Sequence, residues 1–207
     1  IDLSYQGSFF IKADELRPFR DFLPDSELDG KLGASLSIQG QKRDLSCKLS
    51  CLAYNIRYQN SLMDVAHIEA DIDNLLDSPS GTFSFDAKDF YLRDVYLSEL
   101  SFSSLPESLD KQSFSLEMQG VWKQPLSLKT TGFYSPKNSS WNLDIDTCTG
   151  SFLAESFTLK NPFSVIHQNK NFSVTACLWQ IGQGTLSFEC FLNNEELSVK
   201  GEGISLP

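Results

Sequence analysis

Apolar and small polar residues alternate along most of this chain, and clusters of Gly, Pro, Asn or Asp interrupt the alternation at short intervals. Segments 32–38, 114–118 and 126–128 show the pattern, with apolar side chains at every second position and Ser in most of the gaps. Successive side chains of a β-strand point to opposite faces of its sheet. Each segment therefore predicts a strand with one apolar and one polar face, and the whole pattern predicts a sheet with one apolar side.

Turn residues divide the alternating pattern into about fourteen predicted strands. These strands lie near residues 3–12, 31–40, 44–59, 62–73, 81–88, 90–103, 113–121, 125–134, 140–147, 151–160, 162–168, 171–180, 184–192 and 195–204. Connections of hairpin length predict that strands adjacent in sequence pair with each other. The fold class predicted is all-β, an antiparallel meander.

Such a meander can close as a barrel, pack as a two-sheet sandwich, or curl as one elongated sheet into a trough. A closed barrel of this many strands would enclose a lumen too wide for side chains to fill. We therefore predict a curled, elongated sheet formed by residues 1–207 as a single β domain, with a seam near 105–110. Because the chain starts at Ile1 and stops abruptly at Pro207, we expect it to be a fragment of a longer protein.

Two segments depart from simple alternation. Apolar residues in segment 13–24 have helical spacing, and the prolines Pro18 and Pro24 limit its length, so we predict at most one short helix, near residues 15–22. In segment 44–59 the apolar positions change from odd to even numbers, which predicts a β-bulge near Cys51 and Leu52.

Composition and charge narrow the function classes. The chain is 41% hydrophobic and 12% aromatic, which is ample for a core. Its net charge of -10 and pI near 4.6 argue against nucleic-acid binding, since such proteins present clustered Lys and Arg. The sequence has no apolar run long enough for a membrane span and no pattern of a signal peptide.

Cysteine spacing favours neither a metal site nor a disulfide-rich miniprotein. The five cysteines are Cys47, Cys51, Cys148, Cys177 and Cys190. Cys47, Cys51 and Cys148 are interpreted as small buried hydrophobes. A hairpin that turned at about Gln183-Gly184 would place Cys177 opposite Cys190, so these two are the predicted candidates for a disulfide.

Catalytic signatures are weak throughout. The carboxylate pairs Asp71/Asp73 and Asp144/Asp146 are typical of a solvated acidic strand, and His67 has no nucleophile motif near it. No nucleophile elbow, phosphate-binding loop or dinucleotide fingerprint occurs. The sequence therefore predicts no enzymatic activity, no metal and no cofactor.

The order of residues in segment 7–40 has a recognisable form. A strand that contains Gly7 leads through Leu16-Arg17-Pro18-Phe19 to the entry Leu28-x-Gly30-x-Leu32, and the next strand ends at Gly40. This resembles a repeat unit of the TamB family, in which a strand passes through a short, partly helical segment to an "L-x-G-x-L" entry. The rest of the chain is similar to the family only in its rhythm of Gly followed by alternation.

The resemblance implies a segment of a long periplasmic protein, anchored in the inner membrane by a helix outside this sequence. Such proteins look like bridge-shaped transporters in which a curled sheet carries phospholipid acyl chains toward the outer membrane. They are also associated with an outer-membrane barrel partner of the TamA type and with outer-membrane protein assembly.

Seventeen alternating apolar residues are the candidates for one face of the sheet and for a lipid groove on it. They are Leu32, Leu36, Ile38, Leu45, Leu49, Phe83, Phe85, Phe114, Leu116, Met118, Leu126, Leu128, Phe172, Val174, Leu178, Leu186 and Phe188. The alternative is an interaction or structural domain in which the apolar faces of two sheets meet in a closed core, because periodicity does not distinguish a core from a groove. A carbohydrate-active sandwich using Trp122, Trp141 or Trp179 is a third, weaker hypothesis.

Overall fold

The computed structural model describes residues 4–18, 28–41, 44–76, 79–108, 110–137, 140–168, 171–192 and 197–202 of the chain. Nearly all of these residues lie in antiparallel strands that follow chain order. The strands are β1 (Ser4–Ala13), β2 (Leu28–Gln41), β3 (Asp44–Tyr58), β4 (Ser61–Asp73), β5 (Ser80–Leu92), β6 (Val95–Ser108), β7 (Lys111–Trp122), β8 (Gln124–Lys137), β9 (Ser140–Phe152), β10 (Glu155–Leu159), β11 (Phe163–Gln168), β12 (Asn171–Ile181), β13 (Gly184–Leu192) and β14 (Leu197–Glu202). The predicted all-β antiparallel meander is confirmed.

Two compact units divide the chain. The first comprises Ile1–Pro106 and Met118–Lys123, and the second comprises Glu107–Glu117 and Gln124–Pro207. The first unit therefore contains β1 to β5, most of β6 and the last part of β7. One of the boundaries between the units follows Pro106. The single domain with a seam near 105–110 stays a prediction.

Two short strands share one position of the meander in the second unit. Both β10 and β11 pair with β9 on one side and with β12 on the other. Between them, the Asn161 side chain accepts a hydrogen bond from the Leu178 backbone N at 2.9 Å and donates one to the Ala176 carbonyl at 3.2 Å. Because this amide replaces the missing backbone partners of β12, the ladder is interrupted without leaving these groups unpaired.

A β-bulge interrupts the pairing of β2 with β3, but not where the sequence predicts it. The register shifts between Asp29 and Lys31, and Asn55 on the facing strand has a positive φ of 50°. At Gly30, φ is +124°, a conformation that residues with a Cβ rarely adopt. Cys51 and Leu52 pair regularly with both neighbouring strands, so the bulge predicted there is wrong.

The predicted helix falls mostly outside the described residues. After β1, Leu16 is buried and its backbone N donates to the Gly30 carbonyl at 3.0 Å. Arg17 and Pro18 then form part of a single 3₁₀ turn, and residues 19–22 of the predicted helix lie outside the described residues. Arg17 also forms an ion pair with Asp29 at 2.8 Å, which ties this turn to β2.

The predicted pairing of Cys177 with Cys190 is wrong. The hairpin turns at Gly182-Gln183, and a bulge after Val174 shifts the register of β12 against β13. Cys177 therefore lies opposite Phe188, Cys190 lies opposite Val174, and both thiols are free. The Cys177 Sγ donates to the Phe188 carbonyl at 3.2 Å and accepts from Trp179 Nε1 at 3.3 Å.

All five cysteines are free, which gives a direct chemical test of the fold. We expect five reactive thiols under denaturing, non-reducing conditions. In the folded protein, burial raises the pKa of Cys51 and of Cys148. Their thiolate fractions at pH 8 are then below that of an ordinary cysteine, and alkylation accelerates as pH rises toward the raised pKa. Peptide mass spectrometry after timed alkylation at several pH values measures this, and rates equal to those of the denatured chain would contradict it.

Candidate functional site

One face of the first unit is apolar across all six strands β1 to β6. The pairing registers place alternate residues of neighbouring strands side by side on the same face, because directly paired residues point to the same side of a sheet. This apolar face is formed by Tyr5, Gly7, Phe9, Ile11, Ala13, Leu32, Ala34, Leu36, Ile38, Gly40, Leu45, Cys47, Leu49, Cys51, Ala53, Ile56, Met63, Ala66, Ile68, Ala70, Ile72, Gly81, Phe83, Phe85, Ala87, Phe90, Leu97, Leu100, Phe102 and Ser104. None of these side chains is charged.

The centre of the face has a base of small residues. Ala53, Ala66 and Ala87 lie side by side on β3, β4 and β5 and are buried. Larger side chains pack against this row from both sides, namely Leu32, Ile56, Met63, Phe85 and Leu100. The small residues are therefore shielded by their neighbours on the same face of the same sheet.

Most of the larger side chains on this face remain partly open to solvent, and Leu97, at 7% exposure, is the buried exception. Phe9 is 63% exposed and Ile11 is 54% exposed, while Leu36, Leu49 and Phe85 have intermediate burial. Among the described residues, no large side chain has an exposure below 2%. A second layer packed on the face would bury its large central side chains almost completely, so the face is uncovered within the part of the chain that the structure describes.

The opposite face of the first unit carries ion pairs and more polar residues, together with exposed apolar side chains such as Phe10, which is 73% exposed. Lys48 contacts Asp71 at 2.6 Å, and this hydrogen bond raises the pKa of Lys48. His67 lies 3.4 Å from Glu69 on the same face. A hydrogen bond to Asp89 raises the pKa of Tyr96 to about 12. These charges remain in water, which makes this face the solvated side of the sheet.

The second unit has an apolar face of its own. The pairing registers of β8 to β13 identify its members on these strands. Phe114 belongs to the same face because its ring lies next to the position that a Cβ atom of Gly132 would occupy. This second apolar face is formed by Phe114, Leu116, Leu126, Leu128, Thr130, Gly132, Tyr134, Pro136, Trp141, Leu143, Ile145, Cys148, Gly150, Phe152, Phe157, Leu159, Phe163, Val165, His167, Phe172, Val174, Cys177, Trp179, Ile181, Gly184, Leu186, Phe188, Cys190 and Leu192.

Aromatic side chains surround the buried centre of this second face. Cys148, Leu159 and Cys177 are buried there. Phe157 and Phe163 have ring centroids 6.1 and 6.2 Å from Trp179, which are distances typical of favourable aromatic pairs. As in the first unit, the least exposed residues are mostly small, and large rings border them.

All but one of the predicted groove residues lie on these two faces. In the first unit they are Leu32, Leu36, Ile38, Leu45, Leu49, Phe83, Phe85 and Met118. Met118 is assigned to this face because it lies two residues before Gly120 on the same strand, and Gly120 lies beside Leu97. In the second unit they are Phe114, Leu116, Leu126, Leu128, Phe172, Val174, Leu186 and Phe188. Leu178 is the exception: the bulge between Val174 and Cys177 turns it to the polar face, where it is 39% exposed, so its predicted position is wrong.

Sequence reasoning missed several members of the apolar faces. Tyr5, Phe9 and Ile11 of β1 alternate in the sequence and could have been found from that signal. Ala53, Ala66 and Ala87 gave no distinctive signal in the sequence. The alignment of these alanines in one row depends on registers that a single strand does not reveal.

The carboxylates considered as catalytic candidates do not form a site among the described residues. Asp71 is paired with Lys48, and Asp144 accepts hydrogen bonds from Ser164 at 2.5 Å and Asn142 at 2.9 Å. Across the described residues, no three His, Cys, Asp or Glu side chains come together as a possible metal site. None of the described segments forms a helix with the length and hydropathy that crossing a membrane requires.

Comparison of the chain with protein-family models, with curated proteins and with solved structures gave no match in any of the three.

Proposed function

We propose that this chain is a non-catalytic segment of a TamB-like lipid transport protein, and that its apolar faces hold phospholipid acyl chains. In this proposal the segment works in the periplasm, between an inner-membrane anchor outside this sequence and an outer-membrane barrel of the TamA type. It carries phospholipid between the two membranes and so supports outer-membrane protein assembly.

The observation that carries the proposal is the uncovered apolar face of the first unit. It extends over six strands without a charged side chain, and most of its large residues stay partly exposed. Soluble proteins rarely expose a continuous apolar surface of this extent unless it binds something. The resemblance of segment 7–40 to a TamB repeat supports a lipid as that ligand.

Acyl chains match this surface chemically. Burial of each methylene contributes about 0.8 kcal/mol, and the interaction needs neither hydrogen bonds nor charges from the protein. The polar opposite face, with its Lys48–Asp71 ion pair, keeps the other side of the sheet in water. A surface of this kind binds the tail of a lipid and leaves the head group outside the apolar face.

The competing function is an interaction or structural domain in which the apolar faces of two sheets meet in a closed sandwich core. That function predicts large side chains that are nearly inaccessible to solvent. Phe9, Ile11, Leu36 and Leu49 all keep accessible surface, which supports an open face over a closed core.

Native mass spectrometry of the purified chain tests the proposal. We expect adducts whose masses match phospholipids carried over from the expression host. After delipidation, incubation with phosphatidylethanolamine vesicles should restore the adducts, and a vesicle-free sample of the same protein is the control. A chain that carries no phospholipid before delipidation and takes none from the vesicles would contradict the proposal.

A further inference from the structure

The first strand of the sheet has an outer edge that no described strand covers. β1 pairs with β2 along all ten of its residues without a register shift, and it stands first in the strand order. In an antiparallel ladder, every second residue of a strand directs its backbone N–H and C=O groups to each side. Half of the backbone groups of β1 therefore point away from β2, along an edge on which another strand can pair.

The two edge strands of the sheet differ in their protection against such pairing. Short length, proline, bulges and charged side chains are the features that commonly protect an edge. β14, at the other end of the strand order, has only six residues and carries Lys200 and Glu202. β1 is long, has neither a bulge nor a proline, and carries a single charged side chain, Lys12, near its end. This contrast indicates that the edge of β1 is available for pairing.

Large apolar side chains are exposed on both faces of β1. Phe9 is 63% exposed and Ile11 is 54% exposed on the apolar face, whereas Phe10, at 73%, lies on the opposite face. The β2 residues that pair with Phe10 and Ile11 are Ser35 and Ala34, whose side chains are too small to cover them. A lipid on the apolar face would leave Phe10 in water. A strand added at the edge contacts side chains on both faces at once.

We propose that the outer edge of β1 pairs antiparallel with β1 of a second copy of this chain, with Phe10 at the two-fold axis. An axis perpendicular to the sheet keeps the apolar faces of both copies on the same side, since directly paired residues share a face. In this register Phe10 lies opposite Phe10 of the second copy. Phe9 lies opposite Ile11 of the second copy on the apolar face.

The side chains of β1 suit this self-pairing. Aromatic pairs such as Phe10 with Phe10, and aromatic with β-branched pairs such as Phe9 with Ile11, stabilise neighbouring antiparallel strands. Lys12 lies opposite Ser8 of the second copy, and β1 contains no carboxylate, so no like charges meet across the axis. Pairing of β1 with itself also closes at two copies, whereas pairing of β1 with β14 would leave a free edge at each end.

Sedimentation velocity of the delipidated full chain over a range of concentrations tests the dimer. We expect a reversible equilibrium between monomer and dimer without larger species, in about 0.15 M salt, which screens the net charge of -10 on each chain. A chain that stays monomeric up to about 1 mM, the range of weak association, would overturn the inference. Because edge pairing needs no lipid, that result would leave the proposed function intact.

Phe10→Lys should weaken dimerisation at least about tenfold, because it places two like charges opposite each other at the axis. Phe10 is mostly exposed in the single chain, so the circular dichroism spectrum should not change. Ser50→Lys is the matched control: it adds the same charge at an exposed position of the same face and register row, two strands further from the edge. This control should dimerise like the wild type. A Phe10→Lys variant that also dimerises like the wild type would overturn the inference.

Hydrogen exchange measured by NMR needs no variant and distinguishes edge pairing from other dimers. At low concentration, the β1 amides that do not donate to β2 should exchange rapidly. At high concentration, those within residues 7–13 should become protected, because they then donate to the second copy. Two copies stacked through their apolar faces would form a dimer without protecting these amides, and the inference would be wrong.

Discussion

Replacement of Leu36 by glutamate is expected to abolish acyl-chain binding to the first unit while the unit stays folded. Leu36 lies on β2 between Phe9 of β1 and Leu49 of β3, and all three side chains keep accessible surface. A carboxylate at this position keeps its water, so the free energy of unfolding should change by only about 1 kcal/mol. An acyl chain lying over it would have to remove that water, which should weaken binding by at least about tenfold.

Two cysteines report on the same surface. Cys47 and Cys51 flank Leu49 on β3 and share the apolar face with Leu36. Phosphatidylethanolamine should therefore protect both thiols from a maleimide in the wild-type chain and fail to do so in Leu36→Glu. Ser37→Glu is the matched control: it adds the same charge one residue away on the polar face, and protection should persist.

The opposite outcome would identify a closed core. If Leu36→Glu unfolds the chain, the face is packed against another layer and the interaction-domain function takes the place of the conduit. If the variant folds and its thiols remain protected, phospholipid does not lie on this face. Phe85 is less suitable for this test, because it packs against the alanine row. A charge at Phe85 would lower the stability of the unit and weaken acyl-chain binding at the same time.

Alternation alone was enough to predict the fold class and to place all but one of the predicted groove residues on an apolar face. In β2, Leu32, Leu36 and Ile38 keep their parity along the whole strand because no bulge falls between them. Their neighbours on β3 follow because the hairpin fixes the register. Wherever no bulge interrupts the strand pairing, apolar residues at every second position of the sequence lie on the same face of the sheet.

Bulges explain the positions that sequence reasoning placed wrongly. In β12 the apolar residues Phe172, Val174 and Leu178 all have even numbers, so simple alternation puts them on one face. Cys177 and Trp179 have odd numbers and form a second alternating set, which simple alternation would put on the other face. The structure follows the second set after Val174, which lets the Trp179 indole pack among Phe157 and Phe163. One extra residue thus reverses the faces. The separation of Cys177 from Cys190 has another cause: the hairpin turns at Gly182-Gln183, one residue earlier than predicted, which places Cys177 opposite Phe188.

Whether the apolar face is open or covered could not be predicted from the sequence. A strand that lines a groove and a strand that lines a sandwich core have the same period. The distinction depends on accessible surface, which differs between Leu36, still partly exposed, and Ala66, buried on the same face. That difference leads to the second test, in which a charge is placed at the base of the face.

Replacement of Ala66 by aspartate is expected to destabilise the first unit by about 3 kcal/mol, a large part of the stability of a typical domain. Ala66 is only 5% exposed and lies between Ala53 and Ala87, beneath Met63 and Phe85. A carboxylate there has no polar side chain beside it on the face, so it loses its water without gaining a partner. Urea denaturation followed by circular dichroism measures the change.

Ser35→Asp is the control for this substitution, since it places the same carboxylate on the exposed polar face of β2. Its effect on the free energy of unfolding should stay within about 0.5 kcal/mol.

The variants Ala66→Asp, Ser35→Asp and Leu36→Glu together distinguish two layers of one surface. The lower layer is a base of alanines that the protein buries for its own stability, and the upper layer consists of large side chains that remain available to a ligand. An Ala66→Asp variant as stable as Ser35→Asp would mean that the alanine row is not a core. The stability of the sheet would then have to come from its hydrogen-bonded ladder and polar face, and the apolar side chains above the row would have no fixed base on which to form a groove.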